Sequence, residues 1–285
     1  MRFVRYTADT SPQWGVEHDS TLHPLSRLPG GPPDLSDLAN PSYRTSVRRA
    51  LRDGALPSRP ADDVRRLAPV PQPGQIVCVG LNYHDHAEEQ NEEVPVRPLL
   101  FAKSPSAVTN PDDPIVHPAG IDEVDYEVEL GIVIGRTARN VDAADAREYV
   151  AGYTIINDVS ARDAQFDDGQ FFRGKSYDTF APMGPALVTD HSVDPNTVDV
   201  ELRVNGEVKQ SSSTEEFIFD VDEVVEYISG VTTLRPGDVI STGTPGGVGI
   251  FRDPPDLLEP GDTVEAEVEG IGILENPVVT ADGDV

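Results

Sequence analysis

Apolar and polar residues alternate along much of this chain with the two-residue period of a half-buried strand. Val198 to Val204 alternates strictly and runs into Asn205-Gly206, a pair that strongly favours a tight hairpin turn. The apolar runs Ile76 to Gly80 and Leu99 to Ala102 read as strands. So do Tyr126 to Ile134, Tyr153 to Ile156, Asp238 to Ser241, Thr263 to Glu269 and Ile271 to Val279. Only two stretches of this region predict helices. One is Asp142 to Val150; the other is Asp220 to Ser229, where Val221, Val224, Val225 and Ile228 follow the spacing of one helix face. The start of the chain reads differently, with short strand-like pieces such as Phe3 to Tyr6, a Pro/Gly-rich stretch from Pro29 to Pro33, and a helix over Tyr43 to Asp53. Ala68 to Pro73 holds three prolines in six residues and reads as a stiff connector. The expected fold is α+β and mainly β. A small N-terminal α+β domain over 1–67 and a linker over 68–73 precede a large domain over 74–285 with few, short helices.

At 285 residues the chain is long enough to bury a sizeable core. No apolar run approaches the roughly 18 residues of a membrane helix, and Met1 to Thr10 lacks the apolar stretch of a signal peptide. The single cysteine, Cys78, lies between valines and reads as a core residue that cannot form an internal disulfide. These features predict a cytoplasmic protein. Fifty Asp and Glu stand against 22 Lys and Arg, a formal net charge of -28, which argues against nucleic acid or anionic membranes as partners. The acids are spread through periodic, apolar-rich sequence rather than gathered in a tract, which reads as adaptation to a salty cytoplasm where charge is screened. Nineteen of the basic residues are Arg and only Lys103, Lys175 and Lys209 are Lys. Each lysine is therefore a candidate for chemistry that a guanidinium cannot do. Lys209 follows a turn and reads as ordinary, while Lys103 suits either a supporting role near a site or the surface.

Glu127 and Glu129 are two apart in a strand pattern, so both side chains emerge on one face about 7 Å apart along the chain. Two carboxylates facing the same way repel unless a positive group lies between them, and a hard divalent cation meets that need. A solvated strand face is the plainer reading of a bare Glu-x-Glu in so acidic a chain, and Glu265 and Glu267 repeat the spacing without further chemistry. A second acid, Asp158, ends the apolar strand Tyr153 to Ile156, a good place for a site. In Asn82 to Glu89, a short helix would make His86 and Glu89 neighbours, and a carboxylate beside an imidazole fixes its tautomer and raises its basicity. A solvated polar loop is the alternative for this segment, and His84 carries no assignment. Gly243 to Gly249 is rich enough in glycine for backbone N–H groups to approach an anion, but it lacks the lysine and spacing of a nucleotide loop.

The segment around Glu127, the segment Asn157 to Asp163, CVGLNYHDHAEE (78–89), KSYD (175–178), NGEVKQ (205–210) and LRPGDVISTGTPGGVG (234–249) together resemble the fumarylacetoacetate hydrolase family, in that family's order. The resemblance covers roughly 70 to 280 and points to the acylpyruvase and 2-hydroxyhepta-2,4-diene-1,7-dioate isomerase branch. It implies a mixed β-sandwich roll, with Glu127, Glu129 and Asp158 as metal ligands. An all-oxygen set favours Mg2+ or Mn2+ over Zn2+. It further implies His86, Glu89 and Lys175 as catalytic residues, Arg162, Gln165 and Thr244 as substrate-binding residues, and a homodimer. Phe171, Phe172 and Tyr177 depart from residues common in relatives, which bears on the pocket wall and so on the substrate. The implied activity is that of an enzyme working on a small 2-oxo acid through a metal-stabilised enolate. Hydrolysis of an acylpyruvate-type C–C bond is the leading expectation. Isomerisation of the dienedioate, oxaloacetate-type decarboxylation, dehydration of 2-keto-3-deoxy sugar acids, and a non-catalytic metal- or anion-binding scaffold are the alternatives.

Overall fold

The computed structural model describes residues 1–8, 11–26, 28, 33–189 and 193–282. The Pro/Gly-rich stretch noted above lies mostly outside them. One large sheet runs, in spatial order, through Arg59–Pro60, Thr21–Pro24, Gln13–His18, Arg2–Thr7, Ala181–Val188, Val150–Asn157, Val128–Ile134, Val239–Ser241, Ile76–Gly80 and Leu99–Lys103. A second sheet orders Glu207–Ser213, Asp199–Val204, Thr263–Val268, Gly272–Thr280 and Ile115–His117, and packs on the first through the strands Val150–Asn157 and Ala181–Val188. The architecture is thus the mixed, mainly β roll with short helices that the sequence implied.

The six α-helices are α1 (Leu35–Ala39), α2 (Pro41–Arg52), α3 (His84–Glu89), α4 (Arg162–Asp168), α5 (Phe171–Lys175) and α6 (Val221–Val231), among the described residues. Helix α6 begins where its sequence says it should. Asp220 accepts from the Glu223 backbone while the Glu223 side chain accepts from the Asp220 backbone, a reciprocal cap. Its Val221, Val224, Val225 and Ile228 are buried. Asn40 caps α2, with Pro41 in the first turn where a missing N–H costs nothing. The stretch Asp142 to Val150 differs from expectation: Ala143–Tyr149 winds as a 3-10 helix. Its Asp142 makes no side-chain cap, and the Ala143 N–H is taken instead by Glu226 of α6, so the segment follows a neighbour rather than its own propensity.

Residues before the proline-rich connector add strands to the same large sheet. Arg2 and Phe3 pair with Val188 and Leu187, and Phe3, Trp14, Val16, Leu38 and Val47 share a core with Val133, Ile156, Met183, Leu187 and Val239. The central strand Val128–Ile134 is flanked on both edges, by Val150–Asn157 and Val239–Ser241, and is buried along its whole length. Polar residues in it therefore sit in the interior, and Glu129 is one of them.

Candidate active site

Strand pairing brings the three acids together. Glu127 lies one residue before the strand Val128–Ile134 rather than inside it, and its carbonyl accepts from the Asp158 N–H at 2.8 Å. Val128 faces Asn157 and Glu129 faces Ile156, so the turn after Asn157 delivers Asp158 beside the glutamates. Oxygens of Glu127, Glu129 and Asp158 lie within 4.8 Å of one another, all buried. Opposite ligands of an Mg2+ ion at about 2.1 Å would be about 4.2 Å apart, so small side-chain shifts close this cluster around such an ion.

The charges around the cluster are unequal. Lys175, at the end of α5, donates to Glu127 at 2.7 Å and Asp158 at 2.9 Å. Arg162, opening α4, donates to Glu127 at 2.7 Å. Lys103 donates to Asp158 at 2.5 Å and to the Val159 carbonyl at 3.1 Å. Burial alone would raise the Glu127 carboxyl, but Lys175 and Arg162 outweigh it and hold the group below the usual carboxylate range. Glu129 has only the Ser241 hydroxyl at 2.5 Å and the Gly243 N–H at 2.9 Å. Burial, then the neighbouring Asp158 and Glu127 charges, push its carboxyl well above the ordinary value. Burial lowers the Lys103 ammonium despite Asp158, whereas Asp158 and Glu127 overcome burial at Lys175 and raise it. A carboxylate so short of positive charge, in an all-oxygen cluster, is the kind of ligand a hard divalent cation takes.

Above the cluster opens a cavity of about 340 Å3, lined by Glu127, Glu129, Arg162, Gln165, Lys175, Thr244 and His86 among others. His86 is on α3 as the sequence suggested, its Nδ1 3.0 Å from Glu89 and its Nε2 2.7 Å from the Gln90 amide. With Glu89 accepting from Nδ1–H, the lone pair is left on Nε2 on the cavity side. Helix α3 is tied to the glycine-rich loop: the Gly247 N–H donates to Glu89 at 2.9 Å and the Gly246 N–H to Asp85 at 3.2 Å. The Thr244 hydroxyl donates to the Val128 carbonyl at 3.0 Å and accepts from Gln210 at 2.8 Å. Arg162 and Gln165 are joined at 3.1 Å. Of the nine site residues named from the sequence, seven line this cavity, and Glu89 and Asp158 are joined to it through His86 and Lys175.

Other residues act on the site without having been singled out. Asp125 is fully buried and accepts from Arg162 Nε at 2.9 Å, Gly249 N–H at 2.8 Å and Ile250 N–H at 3.1 Å. It fixes Arg162 and the end of the glycine-rich loop against one another. Gln210 crosses from the second sheet to accept from Val128 N–H at 2.9 Å, and Asn82 donates to the Thr242 carbonyl at 2.8 Å. Both sit in the quoted motifs. Lys103 resolves to the supporting position, fully buried behind Asp158. Cys78 is buried, as expected of a core residue.

A buried acidic cluster under a cavity, braced by three cations on a mixed β roll, is an arrangement that could coordinate a divalent cation. The chain belongs to the fumarylacetoacetate hydrolase family: the family model described as fumarylacetoacetate (FAA) hydrolase C-terminal matches residues 75–279. It is 50% identical over 236 residues to bovine "Oxaloacetate tautomerase FAHD2A, mitochondrial", covering 82% of this chain and 75% of that protein. An uncharacterized protein of Methanocaldococcus jannaschii is 53% identical over 207 residues, covering 73% and 84%. Among solved structures, a 2-hydroxyhepta-2,4-diene-1,7-dioate isomerase from Mycobacterium marinum is 40% identical with a TM-score of 0.79, over 99% of both chains. A fumarylacetoacetate hydrolase from Exiguobacterium antarcticum is 39% identical with a TM-score of 0.86, over 98% of this chain and 99% of that one. These comparisons overturn the cytoplasmic expectation: the bovine, rat and human tautomerases are named as mitochondrial proteins. No helix among the described residues is long and apolar enough to cross a membrane.

Proposed function

We propose that this chain catalyses proton-transfer isomerisation, keto–enol tautomerisation in its simplest form, of a small 2-oxo acid. Hydrolysis of an acylpyruvate, the leading expectation from sequence, has less support. Relatives at 46–50% identity are oxaloacetate tautomerases, and the M. marinum structure is an isomerase. The observation that carries the reading is the convergence of Glu127, Glu129 and Asp158 under one cavity with Lys175 and Arg162.

Glu127, Glu129 and Asp158 would hold Mg2+ or Mn2+, which supplies positive charge for an enolate to form against. Arg162 and Gln165, already joined, offer a fork and an amide to orient the carboxylate of the substrate. Thr244 closes the other side of the cavity, its hydroxyl fixed by Gln210. Lys175 keeps its ammonium on the cavity floor, where it steadies negative charge on a keto oxygen. His86, with its tautomer set by Glu89, takes a proton from C3 onto Nε2, displacing Gln90, while solvent water delivers a proton to the oxygen and recovers the one on His86; the reverse sequence returns the keto acid. No bond other than C–H and O–H needs to break.

The direct test follows conversion of enol to keto oxaloacetate by ultraviolet absorbance with Mn2+ present, alongside product analysis of acetylpyruvate. Acceleration that Glu127→Gln reduces by at least about 100-fold, with acetylpyruvate left uncleaved, is expected. Release of acetate and pyruvate from acetylpyruvate would restore the hydrolytic reading.

A further inference from the structure

The cavity has two unlike ends. Its floor carries the carboxylates and cations described above, whereas the rest of its lining includes Leu99, Phe101, Phe166, Phe171 and Phe251, Phe101 reaching in to 5.4 Å from Lys175 Nζ. Phe101 and Phe171 meet edge to face at 5.2 Å, which makes that part of the wall rigid. Leu99, Phe166 and Phe251 stand at the mouth with 50%, 56% and 42% of their surface open, unusual for large apolar side chains in so acidic a chain.

The charges point the same way. Glu92 at the mouth aside, Asp125, Glu127, Glu129, Asp158 and Glu89 are five carboxylates at or beneath the cavity, against Lys103, Lys175 and Arg162. A divalent cation would bring that sum to zero, so a substrate with one carboxylate leaves a single negative charge and one with two carboxylates leaves a pair. Among the described residues lining the cavity, Lys175 and Arg162 are the only Lys or Arg, and both lie on the floor, beside Glu127, where the head of the substrate would sit. The charged residue at the mouth is Glu92, an exposed acid that repels a second carboxylate.

We infer that the site takes a 2-oxo monocarboxylate whose far end is apolar, an aryl or bulky alkyl group laid against Phe101, Phe166 and Phe171, in preference to a dicarboxylate. The inference rests on the isomerase reading and sharpens it, because oxaloacetate and the dienedioate named for the relatives both carry two carboxylates. The head of the substrate is gripped on the polar floor, and the tail covers the open phenylalanines.

Oxanilate and N-oxalylglycine separate the two classes without chemistry. Both present a 2-oxo carboxylate head with nitrogen in place of the enolisable carbon; the first ends in phenyl, the second in another carboxylate. Calorimetric titration of the Mn2+-loaded protein is expected to give oxanilate at least tenfold tighter binding, and Phe166→Arg, at an exposed position, is expected to narrow or reverse that preference. Equal or tighter binding of N-oxalylglycine to the unaltered protein overturns the inference. Turnover of phenylpyruvate and oxaloacetate keeps the two readings apart. Tautomerisation of oxaloacetate at the higher kcat/KM sinks the monocarboxylate preference and leaves the isomerase. The expected binding order with neither acid tautomerised supports the ligand class and sinks the isomerase.

Discussion

Lys175 occupies the point where two candidate metal ligands converge, with its ammonium in hydrogen-bond contact with both. An incoming cation must share those oxygens with it, and like charges about 4 Å apart repel by several kcal/mol at an intermediate dielectric. Lys175→Met is therefore expected to bind Mn2+ more tightly, on the order of tenfold, while losing turnover. Titration followed by electron paramagnetic resonance reads the first effect, and unchanged or weaker metal binding would show that the ammonium does not compete. Glu129 gives a pH signature. Its raised carboxyl favours the metal-free fold below the ordinary carboxylate range, and that contribution is lost as pH climbs through the raised value. A bound cation needs the ionised form, so the thermal stabilisation produced by Mn2+ should be larger at about pH 8 than at about pH 6. Asp125→Asn removes the charge that anchors Arg162 and leaves one N–H acceptor too few, and KM should rise by on the order of tenfold with the far-ultraviolet dichroism unchanged. Spacing and a strand end put the glutamate pair on one face and Asp158 at a good place for a site, but it was the family resemblance that made the three of them ligands rather than a solvated face. Asp125 was not legible, since an acid just ahead of a strand looks like a solvated one until a loop from residues 249–250 is seen to close on it.

Periodicity predicted most strands to within a residue or two: Ile76–Gly80 has the expected bounds, and the Asn205-Gly206 turn has the positive φ angles, 53° and 78°, that its residues favour. It failed where sheet membership overrode composition. Ala181–Val188 is a fully buried strand in the middle of the large sheet although Pro182, Gly184 and Pro185 read as breakers. Partners on both sides hold it, and its pairing with Val150–Asn157 is interrupted between Tyr153 and Ile155. The same large sheet explains why Glu129 is interior: strands buried on both faces lose the alternation that would have marked it. At the loop after Val239–Ser241, Gly243 has a φ of 101°, and an added Cβ would lie 2.8 Å from that of Asn82. Its N–H also holds Glu129. Gly243→Ala should cost about 2–4 kcal/mol of stability, read as a drop in the denaturant midpoint, and weaken Mn2+ binding along with it.

A net charge of -28 repels itself across the molecule, and raising KCl from about 0.1 M to about 1 M shortens the screening length from about 10 Å to about 3 Å. The melting temperature should rise by several degrees over that range, and a fall or no change would remove the case for salt adaptation. Residues 1–67, expected from sequence as a small domain, share the core cluster of Phe3, Trp14 and Leu38 with Met183, Leu187 and Val239. A chain started at residue 74 would bare that apolar surface. It should aggregate or melt well below the full chain, and a soluble, equally stable fragment would argue for an independent unit.

The pairing of Arg2 and Phe3 with Val188 and Leu187 has a consequence for biosynthesis. At roughly 5–20 residues per second, a ribosome needs about 10–40 s to deliver the second of those strands after the first. For that interval Arg2 and Phe3 can pair with Gln13–His18 and pack on Trp14, Val16 and Leu38, while the sheet edge meant for Val188 and Leu187 stays open.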